Sequence, residues 1–389
     1  MPQNVKTDLL ERFRAEMPVS ARYAYFDHAA VAPLSGPAQT AMAQWLAEAA
    51  ESGDVHWPRW AGELRRLREQ AASLVGADTD EIALIPNTTA GITIVAEGWH
   101  WQAGDNVVTL ANEFPSNIYP WMNLASRGVE ARLVPVEHGI VDLQRIADAC
   151  DDRTRILSVS WVGYASGWRL NLAEVADLCQ RRQIKLMVDA IQGLGVFPVD
   201  VAQLGVDFLA ADGHKWLLGP EGAGLLYVKR EHLDRLRPIG VGWNSVQAGH
   251  DFSRIEMQLR PDAARWEGGS LNVAGMLGFG ASIDLLLRMG VSTTTSPVAD
   301  QVLRITDQLC ERLGEIGAEI LSPRLGEHRS GIVTFHPPGK LPPQEVRNRL
   351  LSQNVVTSCR GGGIRATPHG YATTEDVERL IAGLLECAR

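Results

Sequence analysis

The chain has 389 residues, 45% hydrophobic and 21% charged, which is enough apolar sequence for a sizeable core and too much for one compact unit. A formal net charge of -9 argues against partners such as nucleic acid or an acidic membrane surface. The five cysteines, Cys150, Cys179, Cys310, Cys359 and Cys387, match no zinc-ligand spacing, so no metal and reduced thiols in a cytoplasm are expected.

The N-terminal stretch "MPQNVKTDLLERFRAEMP" reads as a short amphipathic helix without a signal core. From about residue 60 helical and strand patterns alternate. "WAGELRRLREQAASLVGA" predicts a helix ending at a glycine, "EIALIPN" a strand, and "TTAGITIVAEGW" a helix opening on its threonines. "DNVVTLAN" and "EARLVPV" predict strands flanking a helix over "PSNIYPWMNLASRG". "TRILSVSWV", "IKLMVDAIQ", "VDFLAADG" and "GAGLLYVKR" are short apolar runs of the kind buried on both faces of a sheet. The alternation predicts a mainly parallel α/β sheet, with ligands at the carboxyl ends of its strands. From about residue 280 the pattern shifts to a long helix, a strand over "SGIVTFHPP", a helix over "PQEVRNRLLSQN", a strand pair over "VVTSCRGGGIRATPH" and a terminal helix with a threonine cap, "TEDVERLIAGLLECAR".

Polar residues gather at those strand ends. Asp189 closes "IKLMVDA" and Gln192 follows it. A carboxylate buried there needs a partner, and a strand-end cap is the plainer alternative to a ligand role. Lys215, in "DGHKWLLGPEG", follows one helix-plus-strand unit later, so both can reach one edge of the sheet. A buried lysine can form a Schiff base with an aldehyde, and a carboxylate can keep a pyridinium nitrogen protonated. Asn87, Thr88 and Thr89 stand between a strand and a helix, where hydroxyls and free N–H groups suit an anion, or serve only as a helix cap.

With "VDAIQGLG", "DGHKWLLGPEGAGLLYV", "RWEGGSLN" and "GIRATPH" in view, the chain resembles the class V aminotransferase group of pyridoxal-phosphate enzymes of fold type I. That group includes cysteine desulfurases, isopenicillin epimerase-like proteins and kynureninases. The resemblance implies a large domain, residues 21–280, with a mainly parallel seven-stranded sheet flanked by helices. A smaller α+β domain would comprise residues 1–20 and 281–389. It implies pyridoxal 5'-phosphate as cofactor, with Lys215 as the Schiff-base lysine, Asp189 on the pyridine nitrogen and Gln192 on the ring 3-hydroxyl. Thr88, Thr89 and His214 would hold the phosphate, and Ser270 would reach the phosphate of the other subunit of a homodimer. Arg365 would hold the carboxylate of an amino acid substrate, a task that suits a planar fork.

The sequence departs from the desulfurase pattern in places. Phe114 stands where a stacking histidine is frequent, so it can cover a ring face but not carry protons. Asp212 stands where a phosphate-binding hydroxyl is frequent, so it is expected to turn away or to pair with a cation. Tyr164 stands in place of an asparagine. Cys359 lies six residues before Arg365 on an expected strand, with no room for a nucleophile loop, so a packed thiol is expected. Arg360 is a further candidate anion contact. These departures favour aminotransferase-like or isopenicillin epimerase-like chemistry, with a cysteine desulfurase or related C–S or C–C lyase second. A binding protein that keeps the fold without turnover is the third reading.

Overall fold

The computed structural model describes residues 3–389, with side chains from residue 9 onward. The strands, in chain order, are β1 (Ala24–Tyr25), β2 (Ile82–Ile85), β3 (Asn106–Leu110), β4 (Glu130–Val134), β5 (Thr154–Ser160), β6 (Lys185–Asp189) and β7 (Phe208–Asp212). There follow β8 (Gly224–Val228), β9 (Glu319–Ile320), β10 (Val333–His336), β11 (Val355–Val356), β12 (Ser358–Arg360) and β13 (Gly363–Ala366).

Seven of them form the central sheet, in the order β2-β8-β7-β6-β5-β3-β4. Only β8 runs antiparallel to its neighbours. β7 and β8 are buried along their whole length, which explains their unbroken apolar sequence. Because β3, β5, β6 and β7 are parallel, their carboxyl ends open on one edge. Ser160 and Asp189 are register partners at that edge, and Asp212 closes β7 beside them.

Helix starts follow the side chains that satisfy them. Asn87 caps Thr88–Gly98 by accepting from Ala90 N, Ser296 caps Pro297–Glu315, and Thr373 forms a capping box with Asp376 ahead of Thr374–Ala388. The stretch expected as a helix over 115–128 is instead a chain of short turns, Pro115–Asn117, Tyr119–Met122 and Asn123–Arg127. Pro115 and Pro120 each remove a backbone donor, so no continuous ladder forms. Two long helices were not evident in the sequence, Gly36–Ser52 and Val273–Arg288. They pack closely because Gly278 carries no Cβ, which would sit 2.7 Å from Met42. The second of them runs through residue 280, where the sequence reading divides the chain.

The smaller, C-terminal part carries an antiparallel sheet, β12-β13-β10-β9. Its apolar cluster draws Ala24 and Phe26 from the start of the chain together with Ile305, Val333, Ile364 and Leu380. β1 pairs in parallel with β11, and Asp27 bridges to Thr367. The residues after β1 are thereby laid between the two sheets. The first two residues of the N-terminal stretch lie outside the described residues; Gln3–Ala15 is the expected helix. No described helix is long and apolar enough to cross a membrane.

Candidate active site

Lys215 stands just past the end of β7, in the turn that returns to β8. Its side chain is 9% exposed, and its Nζ has no hydrogen-bond or ion-pair partner among the described residues. Burial lowers the ammonium to about 8, against the pull of Asp189, and Arg365 adds to the lowering. The Nζ lies 5.5 Å from the centre of the Phe114 ring. Lys215 and Asp189 feel each other's charge without forming an ion pair.

Asp189 ends β6 and is buried. Ile191 N donates to its Oδ1 at 3.1 Å, and burial raises the carboxyl to about 6. Gln192 has its amide oriented by two partners that leave no choice. Trp216 Nε1 can only donate, so Oε1 accepts from it at 2.8 Å, and Nε2 donates to Ala29 O at 3.0 Å. One N–H of the amide stays available.

On the other side of Lys215 the chain builds a polar corner. Thr88 is buried and its Oγ1 accepts from Asp212 N at 2.9 Å, so its own hydroxyl hydrogen can still be donated. Thr89 is exposed and donates to Ser116 Oγ at 2.8 Å. His214 Nδ1 is 3.1 Å from Asp212 Oδ2. The two make no hydrogen bond, and Asp212 Oδ1 and His214 Nδ1 are each buried without a hydrogen-bond partner. Ser270 is exposed and lines a cleft of about 570 Å³ together with Asn87, Thr89, Gly222 and Asn272. Lys215 does not line this cleft.

Arg365, on β13, is almost fully buried. Its Nη1 donates to Tyr164 O at 2.8 Å, and Tyr164 meets the Phe114 ring edge-on with centres 5.4 Å apart. Contacts therefore lead from Arg365 through Tyr164 and Phe114 to Lys215. Arg360 is exposed, and its Nη1 donates to its neighbour's carbonyl, Cys359 O. Cys359 faces away from Arg365. Strand alternation sends Ser358 toward Arg365 Nε and Cys359 into the C-terminal apolar cluster.

Three groups of site residues went unread in the sequence. Glu113, next to Phe114, accepts from Ser160 N at 2.7 Å and from Ser160 Oγ, and burial raises it to about 7 beside Asp189. It ties the Phe114 turn to the end of β5; a glutamate in a turn beside a ring was its only signal. Asp27 accepts from Ser358 and Arg365, residues more than 300 positions away. His28 and His369 join Tyr371 and Trp216 in a buried web. His28 Nδ1 donates to Thr367 O at 2.8 Å, so its Nε2 accepts from Tyr371 Oη at 2.7 Å, while His369 Nε2 donates to Trp216 O at 3.0 Å.

The corner fits pyridoxal phosphate. It offers an unpartnered amine, a buried carboxylate that feels its charge, an aromatic face, and an imidazole with an orphaned nitrogen. The profile of the family described as "Aminotransferase class-V" matches residues 24–380. The chain belongs to the class V aminotransferase family. A probable cysteine desulfurase of Methanothermobacter thermautotrophicus is 32% identical, over 97% of this chain and 98% of that one. One from Pyrococcus abyssi is 27% identical over 97% and 96%. The solved apo cysteine desulfurase of Thermococcus onnurineus superposes with a TM-score of 0.87 at 26% identity, covering 97% of this chain and 98% of that one. Within the class V family these relatives are named for desulfuration, the reading that the sequence alone had placed second, behind transamination and epimerisation.

Proposed function

We propose that the protein is a pyridoxal-phosphate enzyme that cleaves the carbon–sulfur bond of L-cysteine. The observation that carries the reading is Lys215, a buried and unpartnered amine placed between Asp189, Phe114 and the Arg365 side of the site. The desulfurases that resemble the chain supply the reaction class. When bound, pyridoxal phosphate supplies an aldehyde for the amine and a ring that accepts the electron pair left on Cα.

The rest is done by side chains. Arg365 holds the substrate carboxylate and so fixes which face of Cα meets Lys215. The low proton affinity of Lys215 leaves a sizeable neutral fraction near pH 8, so the amine can take the α-proton. With the cofactor bound, Asp189 would hold the proton on the ring nitrogen, Gln192 would meet the ring oxygen, and Phe114 would cover one face. Thr88, Thr89 and His214 would hold the phosphate, and Ser270 of a second copy would complete that site in a homodimer.

None of the five cysteines is suited to receive sulfur as a thiolate. Cys150, Cys179 and Cys387 are buried in apolar clusters, Cys310 and Cys359 pack partly buried against one, and burial raises every thiol above its ordinary value. Sulfur therefore leaves directly as sulfide, or passes to an added thiol.

The test is L-cysteine turnover with both products measured. Sulfide with pyruvate and ammonia is expected when no thiol is added, and alanine with the persulfide of the added thiol when one is, a second equivalent of thiol then releasing sulfide as it forms the disulfide. Lys215→Ala should lose about a hundredfold or more of this activity. Keto acid formed in step with the amine form of the cofactor, without sulfur release, would instead make the protein a transaminase.

A further inference from the structure

The side-on edge of Arg365 is already taken by the protein's own side chains. Nε donates to Ser358 Oγ at 3.2 Å and Nη2 donates to Asp27 Oδ1 at 3.4 Å. Ser358 Oγ donates its own hydrogen to the same Asp27 oxygen at 2.6 Å. A hydroxyl that donates to a carboxylate can only accept from Nε, so each proton in this ring of contacts has one place. Nη1 donates to Tyr164 O. A guanidinium has five N–H groups. With three engaged, one is left on each Nη.

We infer that Asp27 and Ser358 are positioning residues, which hold the Arg365 fork so that a substrate carboxylate meets only its Nη1 and Nη2 groups. The inference rests on the proposal that Arg365 takes that carboxylate. The fold prepares the arrangement. Ser358 is the register partner of Arg365 across β12 and β13. Asp27 arrives from the other end of the chain, bridged to Thr367. Arg365 is 1% exposed, so water does not orient it, whereas the Asp27 side chain keeps 14% exposure. A carboxylate this close also opposes a second negative charge. What Arg365 offers the substrate is therefore a fixed pair of donors rather than an open positive field.

Two substitutions at Asp27 separate the hydrogen-bond relay from simple loss of the side chain. Asp27→Asn keeps an oxygen for Ser358 and Arg365, and Asp27→Ala removes it. The readouts are kcat and KM for L-cysteine, and the calorimetric Kd of L-alanine, which has the carboxylate but no sulfur to lose. Asp27→Ala should raise KM and Kd about tenfold, the effect of losing one hydrogen bond to a charged group, with a smaller change in kcat. Asp27→Asn should recover most of that loss, and Ser358→Ala should share it. Unchanged cofactor absorbance and melting temperature would show that each variant folds and loads. Parental KM and Kd in Asp27→Ala, or an Asn variant as weak as the Ala variant, would overturn the inference. Arg365→Lys keeps the two ideas apart. If it leaves KM and Kd unchanged, the carboxylate role of Arg365 fails; if it weakens binding while Asp27→Ala does not, only the positioning role fails.

Discussion

Lys215 works against the fold that holds it. Its folded value, about 8, lies below the unfolded value of 10.5, so the unfolded chain binds more protons between those two pH values. The stability of the cofactor-free protein should therefore rise as pH climbs through that window. Below it, burying the charge costs on the order of 3 kcal/mol, from the size of the shift. Lys215→Met should raise the melting temperature of the cofactor-free protein at pH 7 and flatten its increase between pH 8 and 10; an unchanged pH dependence would contradict the burial argument. Lys215 itself was legible in the sequence because its flanks are distinctive. Asp27, Glu113 and His28 were not, since each acquires its meaning from residues the chain brings back much later.

At the level of elements, the parallel strands were readable because burial on both faces leaves an unbroken apolar run. Short turns were harder to read. The segment 115–127 has the composition of a helix, but two prolines break its ladder into pieces that pack only as turns. The β12–β13 hairpin is the opposite case, because three consecutive glycines announce it. Gly361 and Gly362 both take positive φ, +58° and +84°, to reverse the chain between Arg360 and Gly363. Added at Gly362, a Cβ would meet nothing within 4 Å, so only backbone strain opposes it. Gly362→Ala should cost about 1–2 kcal/mol in urea unfolding with an unchanged m value. A shift in m would point to a different effect, on the compactness of the folded or the unfolded chain.

For the whole molecule, architecture was easier to read than chemistry. The sheet, its crossover helices and the C-terminal change of texture follow from periodicity. The choice among reactions on one cofactor turns on a few side chains, and there the relatives reversed the order in which the sequence alone had placed them. The cysteines make the choice testable. Treating the loaded enzyme with iodoacetamide at neutral pH should leave most of its sulfur release intact, because three thiols are buried, Cys310 and Cys359 are partly buried, and burial favours the protonated form of each. Inactivation that tracks modification of Cys359 would put a protein thiol on the reaction path.

The pairing of β1 with β11 also sets a timetable. The central sheet is complete in sequence once residue 228 has been made, so the Lys215 corner can assemble while synthesis continues. The seat of Arg365 has to wait. Residues 24–27 are among the first to emerge, yet their strand partners and the arginine they steady come from residues 355–367. At a synthesis rate of about 5–20 residues per second, that early segment stays without its partner for roughly 15–70 s. A growing chain can thus complete the Lys215 corner well before it can seat Arg365.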